Sequence, residues 1–405
     1  MHQKSLITIM MSFFQNLKTA ILLGTAFLYE TAHTQTNSIN DTAIVSTPVT
    51  IGVSVKLNSN VLHQQYELYI STPYGYEKNN QKYPVIYVLD GKYYFPYVSA
   101  ASEVLSGNQD MPECIVVGIA SINRNRDYSP PLVAGFDKPG PMSAAGGANT
   151  YLQHIEQEVL PFIDAHYRTQ PYRMLIGHSL GGLLVVHAMV TKPNLFQAYI
   201  DIDGSHWFNN GANGDSLISF LSQHPKYKGN FMWVMEKMDS SYWFPVTHRL
   251  HAFLAANKPA GLNYEFIQVE NDHHSTLIFP GAYLALRDMF ANYAYQFKPT
   301  TNLGDIKHHY DSLSAALKFT VAIPEDLYDE DKEHCIQILK DPQKAMVTCT
   351  EWIKVYPNSA RAYEVSGNLC ITLGDKTNAA KYLNKALQLD PSNKAVKNSL
   401  QSISN

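Results

Sequence analysis

The sequence predicts an α/β protein: an open, mostly parallel sheet flanked by helices, followed by a small all-helical domain. Three observations carry this. Continuous apolar runs such as Tyr83–Asp90 (YPVIYVLD) and Glu113–Ala120 (ECIVVGIA) have the composition of strands buried on both faces of a parallel sheet. They alternate with stretches of helical spacing, as crossover connections require. From Thr300 onward the strand signal stops and only helical periodicity remains.

The 405 residues suit one large domain plus a small one. With 45% hydrophobic and 12% aromatic residues, disorder and collagen-like repeats are excluded. Lysine and arginine (31) nearly balance aspartate and glutamate (35), so there is no basic excess with which to bind nucleic acid. No run of eighteen uncharged apolar residues appears, and no membrane span is expected. The four cysteines are too few and too scattered for a disulfide framework, and no CxxC metal clip exists; they read as small core residues.

In chain order, Lys4 and Lys18 flank the apolar stretch Ala20–Leu28, and small and polar residues follow. That order predicts an export signal over residues 1–34 and a periplasmic or secreted protein. An α/β domain is expected over 45–297. Residues 44–71 alternate in the strand manner up to the turn at Pro73-Tyr74-Gly75. After the two apolar runs, residues 147–167 place Leu152, Ile155, Val159, Phe162 and Ile163 on one helical stripe. Residues 173–176 lead into a glycine-rich turn and an apolar helix from Leu183 to Met189. Tyr199–Ile202, Phe231–Met235 and Leu262–Val269 supply three further strands.

Residues 298–325 form a helical linker, and 326–405 read as helical repeats. Taking residue 360 as position 1, Tyr363, Gly367, Ala379, Leu383, Ala386 and Pro391 occupy positions 4, 8, 20, 24, 27 and 32. Those are the tetratricopeptide positions, where small residues let paired helices approach. One unit earlier, Ala345 and Pro357 repeat positions 20 and 32, but Trp352 stands where position 27 needs a small residue. So few repeats are marginal alone and should pack on the body of the protein.

The chemistry is carried by Met174-Leu175-Ile176-Gly177-His178-Ser179-Leu180-Gly181-Gly182. This GxSxG lies between an apolar strand and an apolar helix, the setting of a nucleophile elbow, and Ser179 is the expected nucleophile. Gly177 and Gly181 are expected where side chains would collide with the turn. A base must follow, and Glu270-Asn271-Asp272-His273-His274-Ser275-Thr276 comes directly after a strand; spacing does not choose between its two histidines. An acid should orient the imidazole. Glu236 and Asp239 follow the strand Phe231–Met235, and Asp239 is preferred. The order serine, acid, histidine is that of the α/β-hydrolase fold. The oxyanion donors are expected from the Leu180 amide and from the loop after the third strand, at Gly91 and Lys92. No metal constellation or phosphate-cradling loop appears, so no cofactor is expected.

Tyr83–Gly91 (YPVIYVLDG), Arg124–Pro130 (RNRDYSP), Glu158–Tyr167 (EVLPFIDAHY) and Gly177–Gly182 (GHSLGG) resemble the putative-esterase family, which includes esterase D and the enterochelin-type siderophore esterases. The resemblance spans roughly residues 45–297 and implies an exported serine hydrolase that cleaves a small-molecule carboxylic ester through an acyl-enzyme. The family places its histidine in an acid-His-Gly-Ser stretch, which favours His273 as base and finds His274 in place of the glycine. Where relatives carry Ser-Pro-Ser-Leu-Trp-Trp, this chain reads Asp203-Gly204-Ser205-His206-Trp207-Phe208, and the usual glycine before the acid is missing. That segment lines the pocket in relatives, so Trp207 is assigned to it, with His178 and Tyr93. Two other functions use the same residues: acyl transfer to an alcohol, and a reduced hydrolase whose helical repeats bind a peptide or protein.

Overall fold

The computed structural model describes residues 46–136 and 142–404; the expected export signal over 1–34 lies outside the described residues. Residues 46–50 are exposed and without regular structure, and residues 51–405 form one unit. Its sheet has eight strands: β1 (Val53–Ser59), β2 (Gln64–Ser71), β3 (Tyr83–Leu89), β4 (Ile115–Ile119), β5 (Thr169–His178), β6 (Ala198–Ile202), β7 (Gly229–Glu236) and β8 (Leu262–Val269). Their order is β1-β2-β4-β3-β5-β6-β7-β8. The hairpin β1–β2 is antiparallel and β2 meets β4 antiparallel; every later pairing is parallel.

Parallel strands covered on both faces need apolar residues at every position, and β3, β4 and β6 are buried throughout. Alternation then sorts the side chains. Val85, Tyr87 and Leu89 join one core, Ile86 and Val88 the other. The first core is closed by α3 (Ala148–His154), α4 (Leu160–His166), α5 (Leu180–Thr191), α6 (Ala212–Gln223) and α7 (Pro245–Asn257). The second is closed by α1 (Gly91–Gly107) and α8 (Ile278–Met289). A short helix, α2 (Arg124–Asp127), lies between β4 and α3.

Two expectations change here. The stretch 147–167 is not one regular helix: α3 and α4 are joined by a π turn, Ile155–Val159. The extra residue in that turn aims Glu158 at the β1–β2 hairpin, where its carboxylate accepts from the amides of Asn60 (2.7 Å) and Val61 (3.1 Å). Residues 91–94, expected as a loop, are the first turn of α1.

Helices α9 (Leu303–Leu317), α10 (Glu325–Gln337), α11 (Pro342–Val355), α12 (Ala360–Thr372), α13 (Lys376–Leu389) and α14 (Lys394–Ser404) follow. In the pair α12–α13 a Cβ on Gly367 would lie 2.6 Å from Leu383 Cγ, so the small residue at position 8 is set by helix approach. Trp352 explains the departure of the earlier repeat. It is fully buried in the second core together with Phe290, Tyr293, Ile306 and Tyr328, and its indole N–H donates to Glu325 Oε1 at 2.9 Å. The side chain that breaks the repeat pattern thus belongs to the core that the helical region shares with the sheet. All four cysteines are free and buried.

Trp352→Ala is expected to lower the unfolding free energy by about 3–5 kcal/mol. In chemical denaturation the helical region and the sheet should still unfold in one transition, because they share a core; two separated transitions would contradict that.

Candidate active site

Strand β5 ends at His178 and α5 begins at Leu180, which leaves Ser179 alone to make the turn between them. It does so at φ 60°, ψ −117°, a conformation that few L-residues adopt. Three hydrogen bonds hold it: Ser179 N–H donates to Ile202 O (3.0 Å), and Ser179 O accepts from the amides of Leu183 (3.1 Å) and Ser205 (3.0 Å). A Cβ on Gly177 would fall 2.3 Å from Gly181 O, so no larger residue fits there. The expectation for Gly181 is corrected. A Cβ on it would meet only ordinary contacts, at 3.6 Å from Leu89 Cβ, whereas on Gly182 it would fall 2.1 Å from Asp201 Oδ1.

The structure brings His274, not His273, to the serine. Ser179 Oγ lies 3.1 Å from His274 Nε2, and His274 Nδ1–H donates to Asp203 Oδ2 at 2.6 Å. The reason for the choice lies under the loop. His178 Nε2–H donates to the backbone carbonyl of His274 at 2.6 Å, and His178 Nδ1 accepts from Tyr94 Oη–H at 3.1 Å. This grip fixes the peptide of His274 over β5. His273 opens the preceding turn, with its amide on Asp272 Oδ1 (2.8 Å) and its ring exposed beside Thr276 Oγ1.

The acid also differs from the expectation. Asp203 follows β6, the strand next to the elbow, and its amide donates to Val234 O at 2.7 Å. Asp239 is exposed and caps the short turn after β7, accepting from Ser241 N–H at 2.8 Å. Glu236 ends β7 and acts on His274 only through its field. Asp203 sits in the segment 203–208 already singled out for its departure from relatives. An aspartate directly after a buried strand next to the elbow was the available signal.

The two histidines at the centre are tuned in opposite directions. His274 is raised above the ordinary imidazole value, chiefly by its hydrogen bond to Asp203, with burial opposing. His178 is lowered to about 4, chiefly by burial. His178 is therefore neutral and in the tautomer its two hydrogen bonds require. Its expected place in the pocket is corrected to that of a buried support for the His274 loop.

The amides of Leu180, Gly91 and Lys92 open helices α5 and α1, and helix geometry gives them no acceptor within those helices. One ion pair ties these two helix starts together. Asp90, in the left-handed region at φ 53°, takes Arg124 Nε–H (2.9 Å), while Arg124 Nη2 donates to His178 O (2.9 Å). Burial pushes the Asp90 carboxyl up, and the Arg124 guanidinium opposes that shift. Tyr93 is exposed, as is Trp207, whose ring meets Phe208. Among the described residues no group of His, Cys, Asp and Glu is arranged to hold a metal ion, and no helix is long and apolar enough to cross a membrane.

Residues 59–244 match the family described as Putative esterase, and residues 360–393 match a tetratricopeptide repeat. The chain is 31% identical over 173 residues to the ferri-bacillibactin esterase BesA of Bacillus subtilis, covering 38% of this chain and 60% of that protein. It is 30% identical over 162 residues to the siderophore triacetylfusarinine C esterase of Aspergillus fumigatus, covering 36% and 53%. The chain thus spans between half and three-fifths of the length of these curated relatives. In solved structures, an IroE-like serine hydrolase from Shewanella oneidensis has the same fold at a TM-score of 0.64 and 24% identity, covering 73% of this chain and 98% of its own. An uncharacterised protein from Capnocytophaga ochracea matches at 0.58 and 15% identity, over 87% of this chain and 99% of its own.

In an NMR titration, the His274 ring should show a midpoint above the ordinary imidazole value of about 6.5. Asp203→Asn should lower that midpoint, since it removes the carboxylate that favours the imidazolium. An unmoved midpoint would mean that the carboxylate does not govern the ring.

Proposed function

We propose, from the match of residues 59–244 to the putative-esterase family, that the protein is a serine hydrolase of carboxylic esters acting through an acyl-enzyme. The observation that carries this is the hydrogen-bonded chain Ser179–His274–Asp203 on a strained elbow. In the reaction, Ser179 Oγ attacks the ester carbonyl and His274 Nε2 takes the hydroxyl proton. The carbonyl oxygen, now negative, meets the Leu180 amide and the opening amides of α1 at Gly91 and Lys92. As the tetrahedral intermediate collapses, His274 returns the proton to the leaving alkoxide. Water then repeats the sequence on the acyl-serine and releases the acid. Asp203 keeps Nδ1 protonated and balances the imidazolium charge.

The names of the curated relatives support a siderophore ester as the substrate class. The charged, apolar, then small-residue order of residues 1–34 supports export. The tetratricopeptide match at 360–393 supports a peptide or protein partner for that region.

The test is a fluorophosphonate probe followed by mapping of the modified residue. Labelling is expected at Ser179, lost in Ser179→Ala and reduced at least about 100-fold in His274→Ala. His273→Ala and Asp239→Asn should stay within about threefold of the parent. Labelling that survives in His274→Ala but not in His273→Ala would restore the other histidine, and an unlabelled folded protein would favour a binding role. With turnover established, product analysis with an added alcohol separates hydrolysis from acyl transfer.

A further inference from the structure

One turn after β6 supplies two side chains to the centre. Asp203, at φ 47°, reaches His274, and Ser205, almost wholly buried, places its Oγ 3.3 Å from Ser179 Oγ while its amide donates to Ser179 O. A four-residue turn that must present both side chains needs an anchor of its own. That anchor is a second, buried acid–imidazole pair. His206 Nε2–H donates to Asp201 Oδ2 at 2.6 Å, and the two side chains are 3% and 0% exposed.

The surroundings leave this pair one geometry. Asp201 faces Gly177 in the β5–β6 register, and its Oδ1 would lie 2.1 Å and 2.4 Å from Cβ atoms on Gly182 and Gly204. Both glycines are therefore required by the carboxylate. Trp233 meets the His206 ring edge-on, with centroids 5.8 Å apart. A buried carboxylate and imidazole are costly next to apolar side chains of the same volume, and the return on such a pair is a fixed arrangement rather than stability.

We propose that the Asp201–His206 pair is a positioning device for the active site: it holds the 203–206 turn so that Asp203 meets His274 and Ser205 meets Ser179. The inference rests on the serine-hydrolase reading above. Without the anchor, the turn relaxes and the Asp203–His274 contact lengthens. The other groups that face His274 stay where they are: Glu236 from β7, Arg124 from α2 and His178 from β5. Loss of the Asp203 contact lowers the His274 pKa, and the free base is the active form. The acid limb of the rate profile should then move to lower pH, while the rate on the plateau falls.

The experiment uses the full chain with His206→Leu, His206→Gln and Asp201→Asn, and Asp203→Asn as reference. It reads kcat and KM on a chromogenic aryl ester from about pH 5 to pH 9, together with thermal unfolding. His206→Leu and Asp201→Asn are expected to lower kcat about 10- to 100-fold with little change in KM, and to shift the acid limb in the direction seen with Asp203→Asn. His206→Gln, whose amide still donates to Asp201, should recover most of the rate. A folded His206→Leu or Asp201→Asn with the parent kcat and acid limb would overturn the proposal. So would a loss of rate that follows thermal stability while the limb stays put. Turnover retained in Ser179→Ala would instead sink the hydrolase reading itself.

Discussion

The backbone of Ser179 is the constraint on which the site depends. Its φ 60°, ψ −117° conformation carries a strain of roughly 1–3 kcal/mol, and it persists because neighbouring elements over-determine it. The amide is taken by β6 and the carbonyl by α5 and by Ser205. The strands on either side of β5 are buried along their whole length. Such an elbow needs a rigid two-layered core beneath it, and the alternation of β3 between the two cores supplies that rigidity. The placement of the hydroxyl is thus a consequence of packing some distance away from it.

Around that fixed point the polar groups divide into those that must hold still and those that must titrate. His178, buried and neutral, uses both ring nitrogens to join Tyr94 on α1 to the His274 carbonyl. Arg124 joins the carboxylate of Asp90 to the His178 carbonyl. His274 is half-exposed and raised by Asp203, so its ring can change charge while its backbone cannot move. Separating the anchoring role from the titrating role between two adjacent imidazoles lets the loop stay in place through a proton transfer.

The strands, the elbow and the repeat were legible because each rests on a local signal: a continuous apolar run, a glycine-serine turn between strand and helix, small residues at fixed spacing. Leu262–Val269 coincides with β8. The base and acid were not legible in that way. His273 and His274 are neighbours, and what separates them is a hydrogen bond from His178, nearly a hundred residues earlier. Asp203 was hidden by expecting the acid after β7, whereas β6 lies one strand from the serine and a short aspartate suffices there. Gly182 was passed over because its need comes from Asp201, a side chain on another strand. Each miss concerns a contact between elements that no periodicity encodes.

The helical region belongs to the same physical argument. Its first helices close the second core, with Ile306 and Tyr310 of α9, Leu327 and Tyr328 of α10 and Trp352 of α11 buried in the same core as Ala282, Ala285 and Leu286 of α8. Helix α8 begins four residues after His274, and its Gly281 lies against Ile202 and Val234, the residues that precede Asp203 and accept its amide. Helix α8 thus runs from the histidine loop into the core that the later helices also close. A free-standing repeat array would need a polar outer face at each end. Here the first end contributes apolar residues to the second core of the sheet, while α13 and α14 have a small core of their own. The helical region is thus built into the fold at its first end, and the tetratricopeptide match at 360–393 covers α12 and α13 beyond it.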